Sequence, residues 1–202
     1  MEGETARITL LVTHVLEQIG IPYAVGGSLA SSLHGVMRST LDADIVADMK
    51  LEHVQPLAAA LSKEFYADAE MMKDAIEHHS SFNLIHYETA FKVDIFVRKP
   101  RAFDQMQLER RKKSIIATDP DQTVYVTSPE DTILAKLEWY RMGGEQSDRQ
   151  WRDILGMMKT RAGGLDLVYL RKWAGELKVS DLLERALKET AWTMPKQKNE
   201  RE

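Results

Sequence analysis

The chain has no cysteine among its 202 residues. This absence excludes disulfide bonds, zinc sites built from thiolates and a cysteine nucleophile, and it suits a reducing compartment. No apolar run approaches the roughly 18 residues that a membrane-spanning helix needs, and the acidic, amphipathic N-terminus is unlike a signal peptide. The sequence therefore predicts a cytoplasmic protein with no membrane partner.

The chain also lacks an excess of positive charge. Its formal net charge is -4, with 27 basic and 31 acidic residues, so its overall field does not favour coating nucleic acid. Walker A and Gly-x-Ser-x-Gly motifs are absent, and Gly26-Gly27 does not continue as Gly-x-Gly-x-x-Gly, which disfavours P-loop kinases, hydrolases and Rossmann domains. What is present, 44% hydrophobic and 29% charged residues, is typical of a folded globular protein.

Hydrophobic periodicity predicts strands and helices in residues 1–127, a helical domain in 128–194 and a disordered tail in 195–202. The clearest boundary is Ser-Pro-Glu-Asp at 128–131, which combines an N-cap, a proline at the first helical position and acids in the first turn. The predicted strands are 23–25, 41–47, 82–86, 91–97, 114–117 and 124–126, with 82–86 and 91–97 joined in an antiparallel hairpin. The predicted helices are 4–19, 29–34, 53–64, 70–78, 101–110, 129–141, 148–160, 166–175 and 180–190.

Two aspartates on the strand 41–47 are the strongest chemical signal. Side chains alternate between the faces of a strand, so Asp42 and Asp44 share one face, roughly 7 Å apart, while Ala43 and Ile45 are buried on the other. Carboxylates in this arrangement suit Mg²⁺. Asp94, in the strand FKVDIFV, is the best candidate for a third ligand. An unpaired carboxylate on a half-buried strand is costly, so we expect a metal or an arginine as its partner.

A glycine pair precedes this strand. Gly26 and Gly27 follow the apolar strand 23–25, and the absence of Cβ atoms lets a backbone approach a phosphate. Ser28 is the predicted N-cap of the next helix and adds a hydroxyl. Tight turns use the same residue types, so this turn alone does not decide between a structural turn and a phosphate site.

Together, the runs AVGGSLASSLHG, RSTLDADI and VDIFV resemble the signature of the nucleotidyltransferase superfamily over residues 20–98. The motif Arg-x-Thr-x-Asp-x-Asp is similar to that of the branch of AbiEii-type toxins and their bacterial relatives. The resemblance implies an α+β fold, a mixed sheet flanked by helices, followed by a C-terminal helical domain. It implies that the NTP is bound by Gly26, Gly27, Ser28, Arg38 and Thr40, and that two Mg²⁺ ions are ligated by Asp42, Asp44 and Asp94.

The activity implied by the resemblance is Mg²⁺-dependent transfer of a nucleoside monophosphate from an NTP, in a cleft between the two domains. The acceptor is a hydroxyl or phosphate on RNA such as tRNA, on protein or on a small molecule. An alternative is a catalytically inactive nucleotide-binding or interaction module with the same fold. A third interpretation is a toxin that has an antitoxin partner.

In the helical half, EDTILAKLEWY and SDRQWRDI occupy the places of that branch's lysine motif and basic-acidic helix. The resemblance implies that Lys136 contacts phosphates and that Asp153, with Arg149 or Arg152, completes the site. Helical spacing places Lys136 at the edge of an apolar face, where its stem can be buried. It places Asp153 opposite the apolar stripe of its helix, so the simpler interpretation of Asp153 is a solvent-facing pair with Arg149.

A basic cluster follows the strand that carries Asp94. Its members are Arg98, Lys99, Arg101, Arg110, Arg111, Lys112 and Lys113. The cluster is a candidate surface for a nucleic-acid acceptor, and a merely solvated surface is the simpler interpretation.

Overall fold

The structure is a computed structural model, and it describes residues 3–36, 40–118 and 120–190. These residues form two compact units, one made of 3–33 and 40–128 and the other of 34–36 and 129–190. Every helix among them is too short or too polar to span a bilayer. Arg38 and the predicted tail 195–202 lie outside the described residues.

The first unit is built on a mixed sheet that has seven strands among the described residues. The strands are β1 Tyr23–Val25, β2 Asp42–Ala47, β3 Phe65–Tyr66, β4 Ser81–His86, β5 Lys92–Val97, β6 Lys112–Ala117 and β7 Gln122–Val126. Their order across the sheet is β3-β4-β5-β2-β1-β7-β6. Strand β2 lies between β5, to which it is parallel, and β1, to which it is antiparallel. The predicted α+β class and the β4–β5 hairpin are confirmed.

Five helices accompany this sheet in the described part of the chain. They are α1 Gly3–Ile19, α2 Gly27–Leu33, α3 Val54–Leu61 with a preceding 3₁₀ turn Leu51–His53, α4 Ala69–His78 and α5 Ala102–Glu109. Helix α2 begins at Gly27, so Ser28 lies in its first turn, and the prediction that Ser28 is the N-cap is wrong. The left-handed φ of Gly27, +55°, turns the chain into the helix two residues after β1 ends.

The alternation of small and large apolar residues with polar ones fixes which face of the sheet is buried. Ala43 and Ile45 of β2, with Val93 and Ile95 of β5, are fully buried and join one hydrophobic core. Ala47 and Val97 are buried on the same face, whereas the alternate side chains of the two strands are only half-buried. Strands with this period of two bury every second residue, so the polar residues of β2 and β5 are gathered on the opposite face.

The second unit consists mainly of four helices among the described residues. They are α6 Pro129–Met142, α7 Asp148–Thr160, α8 Leu167–Glu176 and α9 Ser180–Glu189. Helix α6 begins at Pro129, as predicted. Side chains cap two of the others: Ser147 Oγ accepts the Gln150 N–H at the start of α7, and Asp166 Oδ1 accepts the Tyr169 N–H at the start of α8. Helix α7 packs against both α6 and α9.

The short segment 34–36 belongs to the second unit, although the residues on either side of it belong to the first. The His34 carbonyl accepts a hydrogen bond from Arg161 Nε at 3.0 Å. Gly35 has φ +102°, and a Cβ there would lie 2.7 Å from Thr160 Cγ2. Within the second unit, residues 34–36 therefore lie against the C-terminal end of α7.

Candidate functional site

The acid face is the side of β2 and β5 that carries Asp42, Asp44, Lys92 and Asp94. The two strands are parallel, with Asp44 in register with Asp94 and Asp42 in register with Lys92. Residues in register on neighbouring strands lie about 4.8 Å apart, so the carboxylates of Asp44 and Asp94 project side by side. The predicted sharing of one face by Asp42 and Asp44 is confirmed, while their roles as ligands stay predictions.

The glycine turn touches the acid face at Asp44. The Gly26 N–H donates to the Asp44 carbonyl at 2.8 Å, which extends the pairing of β1 with β2. A Cβ on Gly27 would lie 1.7 Å from Asp44 Oδ2 and 2.6 Å from its Cγ, whereas a Cβ on Gly26 would meet nothing closer than the Asp44 carbonyl at 3.9 Å. The close approach to the carboxylate therefore requires glycine at Gly27 and not at Gly26.

Thr40 positions Asp42. Its hydroxyl donates to Asp42 Oδ1 at 2.8 Å, and the residue is only 8% exposed. The carbonyl of Thr40 accepts a bond from Thr5 Oγ1 at 3.5 Å. Thr40, predicted as an NTP contact, is thus engaged with the carboxylate that it precedes by two residues.

Lys92 is the partner of Asp94. Its ammonium lies 2.7 Å from Asp94 Oδ2, and the two side chains are 44% and 13% exposed. The hydrogen bond to Asp94 raises the pKa of Lys92, and the charges of Asp94, Asp42 and Asp44 add to the effect. We expected a metal or an arginine at Asp94. In the structure a lysine fills that position, because residues two apart on a strand share a face.

Asn83 of β4 and the role of Lys92 were not predicted from the sequence. Asn83 is the cross-strand partner of Asp94 and is half-buried. In an antiparallel hairpin, each step back along one strand is matched by one step forward along the other. Counting three residues outward from His86 and from Phe91, which pair at the turn, therefore places Asn83 opposite Asp94. The predicted hairpin contained this signal.

The donor types on the acid face fit a hard divalent cation, because Mg²⁺ prefers carboxylate and amide oxygens. The ammonium of Lys92 is a cation on this face: it contacts Asp94, and it interacts electrostatically with Asp42 and Asp44. In the present arrangement, no three acids or histidines of the described chain are grouped tightly enough to hold a metal. A metal site on this face would therefore need its side chains to move from this arrangement, with the Lys92–Asp94 contact released.

In the second unit, Lys136 and Asp153 form a buried ion pair. Lys136 Nζ donates to Asp153 Oδ2 at 3.1 Å, and the two side chains are 10% and 9% exposed. The interpretation of Asp153 as a solvent-facing partner of Arg149 is wrong. Because α7 packs between α6 and α9, its buried surface is wider than one apolar stripe and includes Asp153. Arg149 itself is exposed, as is Arg152.

The basic cluster is partly offset by contacts inside the first unit. Arg98 Nε lies 2.9 Å from Asp48 Oδ1. Arg111 and Lys113 lie over the ring of Tyr125, at 4.8 and 5.3 Å from its centroid, distances typical of cation–π contacts. Contacts of this kind stabilise a protein surface. Binding of a nucleic-acid acceptor at this cluster stays a prediction.

Comparisons with known proteins bear on the fold. Neither protein-family models nor curated proteins match the chain. Among solved structures, an antigenic nucleotidyltransferase-like protein from Paracoccidioides brasiliensis is 18% identical, with 92% of each chain covered and a TM-score of 0.54. The antibiotic-resistance factor ANT(2'')-Ia is 10% identical, with 95% of this chain and 96% of that chain covered and a TM-score of 0.55. At these identities the likeness concerns the fold, which is nucleotidyltransferase-like; the AbiEii-type branch stays a prediction.

Proposed function

We propose that the protein is a nucleotidyltransferase that transfers a nucleoside monophosphate from an NTP to an acceptor hydroxyl or phosphate. The observation that carries the proposal is the acid face. Asp44 and Asp94 lie in register on parallel strands, Asp42 lies two residues from Asp44, and Gly27 closely approaches the Asp44 carboxylate. Carboxylates spaced in this way beside a glycine turn suit a triphosphate with its metals.

In this proposal Asp42, Asp44 and Asp94 would hold Mg²⁺, with two ions expected. When bound, Mg²⁺ supplies charge neutralisation of the triphosphate and of the departing pyrophosphate. Thr40 keeps Asp42 oriented, and the glycine turn with Ser28 brings backbone close to the phosphates. The acceptor oxygen bonds to the α-phosphorus as the bond from that phosphorus to the pyrophosphate oxygen breaks. A carboxylate of the acid face takes the proton of a hydroxyl acceptor.

The resemblance also assigns NTP contacts to Arg38 and Lys136, with Asp153 completing the site. Arg38 lies outside the described residues, so its contact stays a prediction. Lys136 donates to Asp153 and both are buried, a geometry that supports a structural pair joining α6 and α7. A phosphate contact by Lys136 would require this pair to open.

The test is a transfer assay with each α-labelled NTP, Mg²⁺ or Mn²⁺, and the RNA, protein and small-molecule fractions of a cell extract as acceptors. We expect label in one fraction together with pyrophosphate release. Asp44→Asn should lower transfer by roughly two orders of magnitude or more, the scale of losing one charge-stabilising group. Asp74→Asn removes an exposed carboxylate of α4 and should leave transfer unchanged. Full transfer by Asp44→Asn, or no NTP binding by the wild type, would contradict the proposal.

One observation favours a second candidate, a nucleotide-binding module without turnover. The ammonium of Lys92 contacts Asp94, and a permanent pair would keep that carboxylate from a metal. NTP binding without pyrophosphate release in any acceptor fraction would support this candidate. Release that depends on Asp94 would exclude it.

The acceptor of the nucleotide and the protein partner of the chain are also proposals. Transfer of label to tRNA, to protein or to a small molecule identifies the acceptor class. A toxin with an antitoxin partner would arrest growth when expressed alone. Relief of that arrest by Asp42→Ala would connect the arrest to the acid face, and normal growth on expression of the wild type would dismiss the toxin interpretation.

A further inference from the structure

Among the described residues of β2 and β5, Lys92 is the one cation and shares its face of the sheet with three acids. Within the acid face, its register position is opposite Asp42 and two residues before Asp94. Its ammonium contacts Asp94 directly at 2.7 Å. One positive charge therefore contacts Asp94 on the face that also carries Asp42 and Asp44, and any divalent cation that enters must compete with that charge.

The exposures of the two partners differ. The Lys92 side chain is 44% exposed and that of Asp94 is 13% exposed. A lysine is a flexible, strongly hydrated point charge, and ion pairs with an exposed partner contribute little net stability because water solvates the separated charge well. Lys92 can therefore leave by moving into water, while the less exposed Asp94 remains on the sheet.

We propose that Lys92 is a tethered counter-ion of the acid face, which holds Asp94 when no divalent cation is bound and releases it when one binds. The inference rests on the proposed function, since it takes the acid face to be the cation site. It makes Lys92 a positioning residue that sets cation affinity by competition. In the cation-free protein the lysine offsets the charge of Asp94.

The test is calorimetric titration of Mn²⁺ into the full-length wild type and into Lys92→Met, which keeps the length of the side chain without its charge. At the dielectric of water, a unit charge and a divalent ion 4 Å apart repel each other by an amount worth roughly thirtyfold in affinity. Because Lys92 relieves part of this repulsion by moving into water, we expect Lys92→Met to bind Mn²⁺ about tenfold more tightly. Lys92→Arg keeps the charge and should bind as the wild type does.

A matched control comes from α4. Lys73 pairs with Glu70 at the same 2.7 Å and has a similar side-chain exposure of 42%, but it is not on the acid face. Lys73→Met should leave the affinity for Mn²⁺ unchanged. An equal gain in both methionine variants would mean that general surface charge is the cause, and it would overturn the inference.

Thermal unfolding gives a second measurement that does not depend on activity. Without metal, Lys92→Met should unfold at a slightly lower temperature than the wild type, because the mostly buried carboxylate of Asp94 loses its counter-ion. Adding Mn²⁺ should raise its midpoint more than that of the wild type, since tighter binding to the folded state gives greater stabilisation. If circular dichroism shows Lys92→Met unfolded, Lys92→Gln takes its place.

The outcomes separate the inference from the proposed function. Binding of Mn²⁺ by the wild type with equal or weaker binding by Lys92→Met overturns the role of Lys92 and leaves the cation site standing. No Mn²⁺ binding by either protein overturns both. Tighter binding by Lys92→Met that disappears when Asp94→Asn is added supports both.

Discussion

Replacing Gly27 by alanine tests whether the glycine turn is shaped by the acid face. The residue has φ +55°, and its new Cβ would lie 1.7 Å from Asp44 Oδ2 and 2.9 Å from Asp44 Cβ. The left-handed conformation costs a non-glycine residue about 1–2 kcal/mol. Moving the Asp44 side chain out of its rotamer adds about 1 kcal/mol. We expect Gly27→Ala to lose about 2–3 kcal/mol, or roughly 5–10 °C in Tm for a chain of this size.

Two other glycines distinguish the conformational cost at Gly27 from the cost of the contact between a new Cβ and Asp44. Gly20 has φ +83° but nothing within 4 Å of a Cβ, and Gly26 has an ordinary 3.9 Å contact without a positive φ. Gly20→Ala should therefore show only the conformational cost of about 1–2 kcal/mol. Gly26→Ala should change stability by about 0.5 kcal/mol or less. Urea unfolding of the three variants beside the wild type measures these differences.

The same variants should differ in cation binding. Gly27→Ala displaces the carboxylate of Asp44, so it should weaken binding of Mn²⁺, while Gly20→Ala should bind Mn²⁺ as the wild type does. The reasoning is refuted if Gly27→Ala is no less stable than Gly20→Ala. It is also refuted if Gly26→Ala, which has room for its methyl group, proves the most damaging of the three.

Two further predictions concern buried polar groups. Burial, and then the hydrogen bond to Glu17, raise the pKa of Tyr23 above its ordinary 10.0, so the phenol stays protonated in the folded protein while the unfolded chain releases the proton. This stabilisation is complete below about pH 10 and is lost as the pH rises further, so the advantage of wild type over Tyr23→Phe in urea unfolding should be the same at about pH 8 and pH 9 and should shrink above about pH 10. Lys136→Met leaves the Asp153 carboxylate buried without that ammonium and should cost about 3 kcal/mol. Lys136→Met with Asp153→Leu should recover most of the loss in the same assay, and failure to recover would contradict a purely structural pair.

The period of two was sufficient to predict much of the acid face. It placed Asp42 and Asp44 on one side of β2, with Ala43 and Ile45 in the core. These are local consequences of strand geometry. The position of β2 between β5 and β1, and the register of Asp44 with Asp94, depend on contacts distant in sequence, and no local pattern specifies them.

Asp153 shows why a single helix is not enough for predicting burial. The spacing within α7 identified one apolar stripe and left Asp153 outside it. In the structure α7 has neighbours on two sides, α6 and α9, and Asp153 is 7% exposed. The number of neighbours around a helix is a property of the packed unit, so a charged residue beside the stripe can be buried when a partner such as Lys136 satisfies it.

Two of the lysine–carboxylate pairs in the described part of the chain have similar lengths but opposite expected behaviour. Lys92 and Asp94 lie 2.7 Å apart, and Lys136 and Asp153 lie 3.1 Å apart. Distance does not separate them, whereas exposure does: the Lys92 side chain is 44% exposed and that of Lys136 is 10% exposed. Opening the first pair returns an ammonium to water at little cost, but opening the second would leave charges buried. We therefore expect a cation to exchange with Lys92 and expect Lys136 to hold α6 against α7.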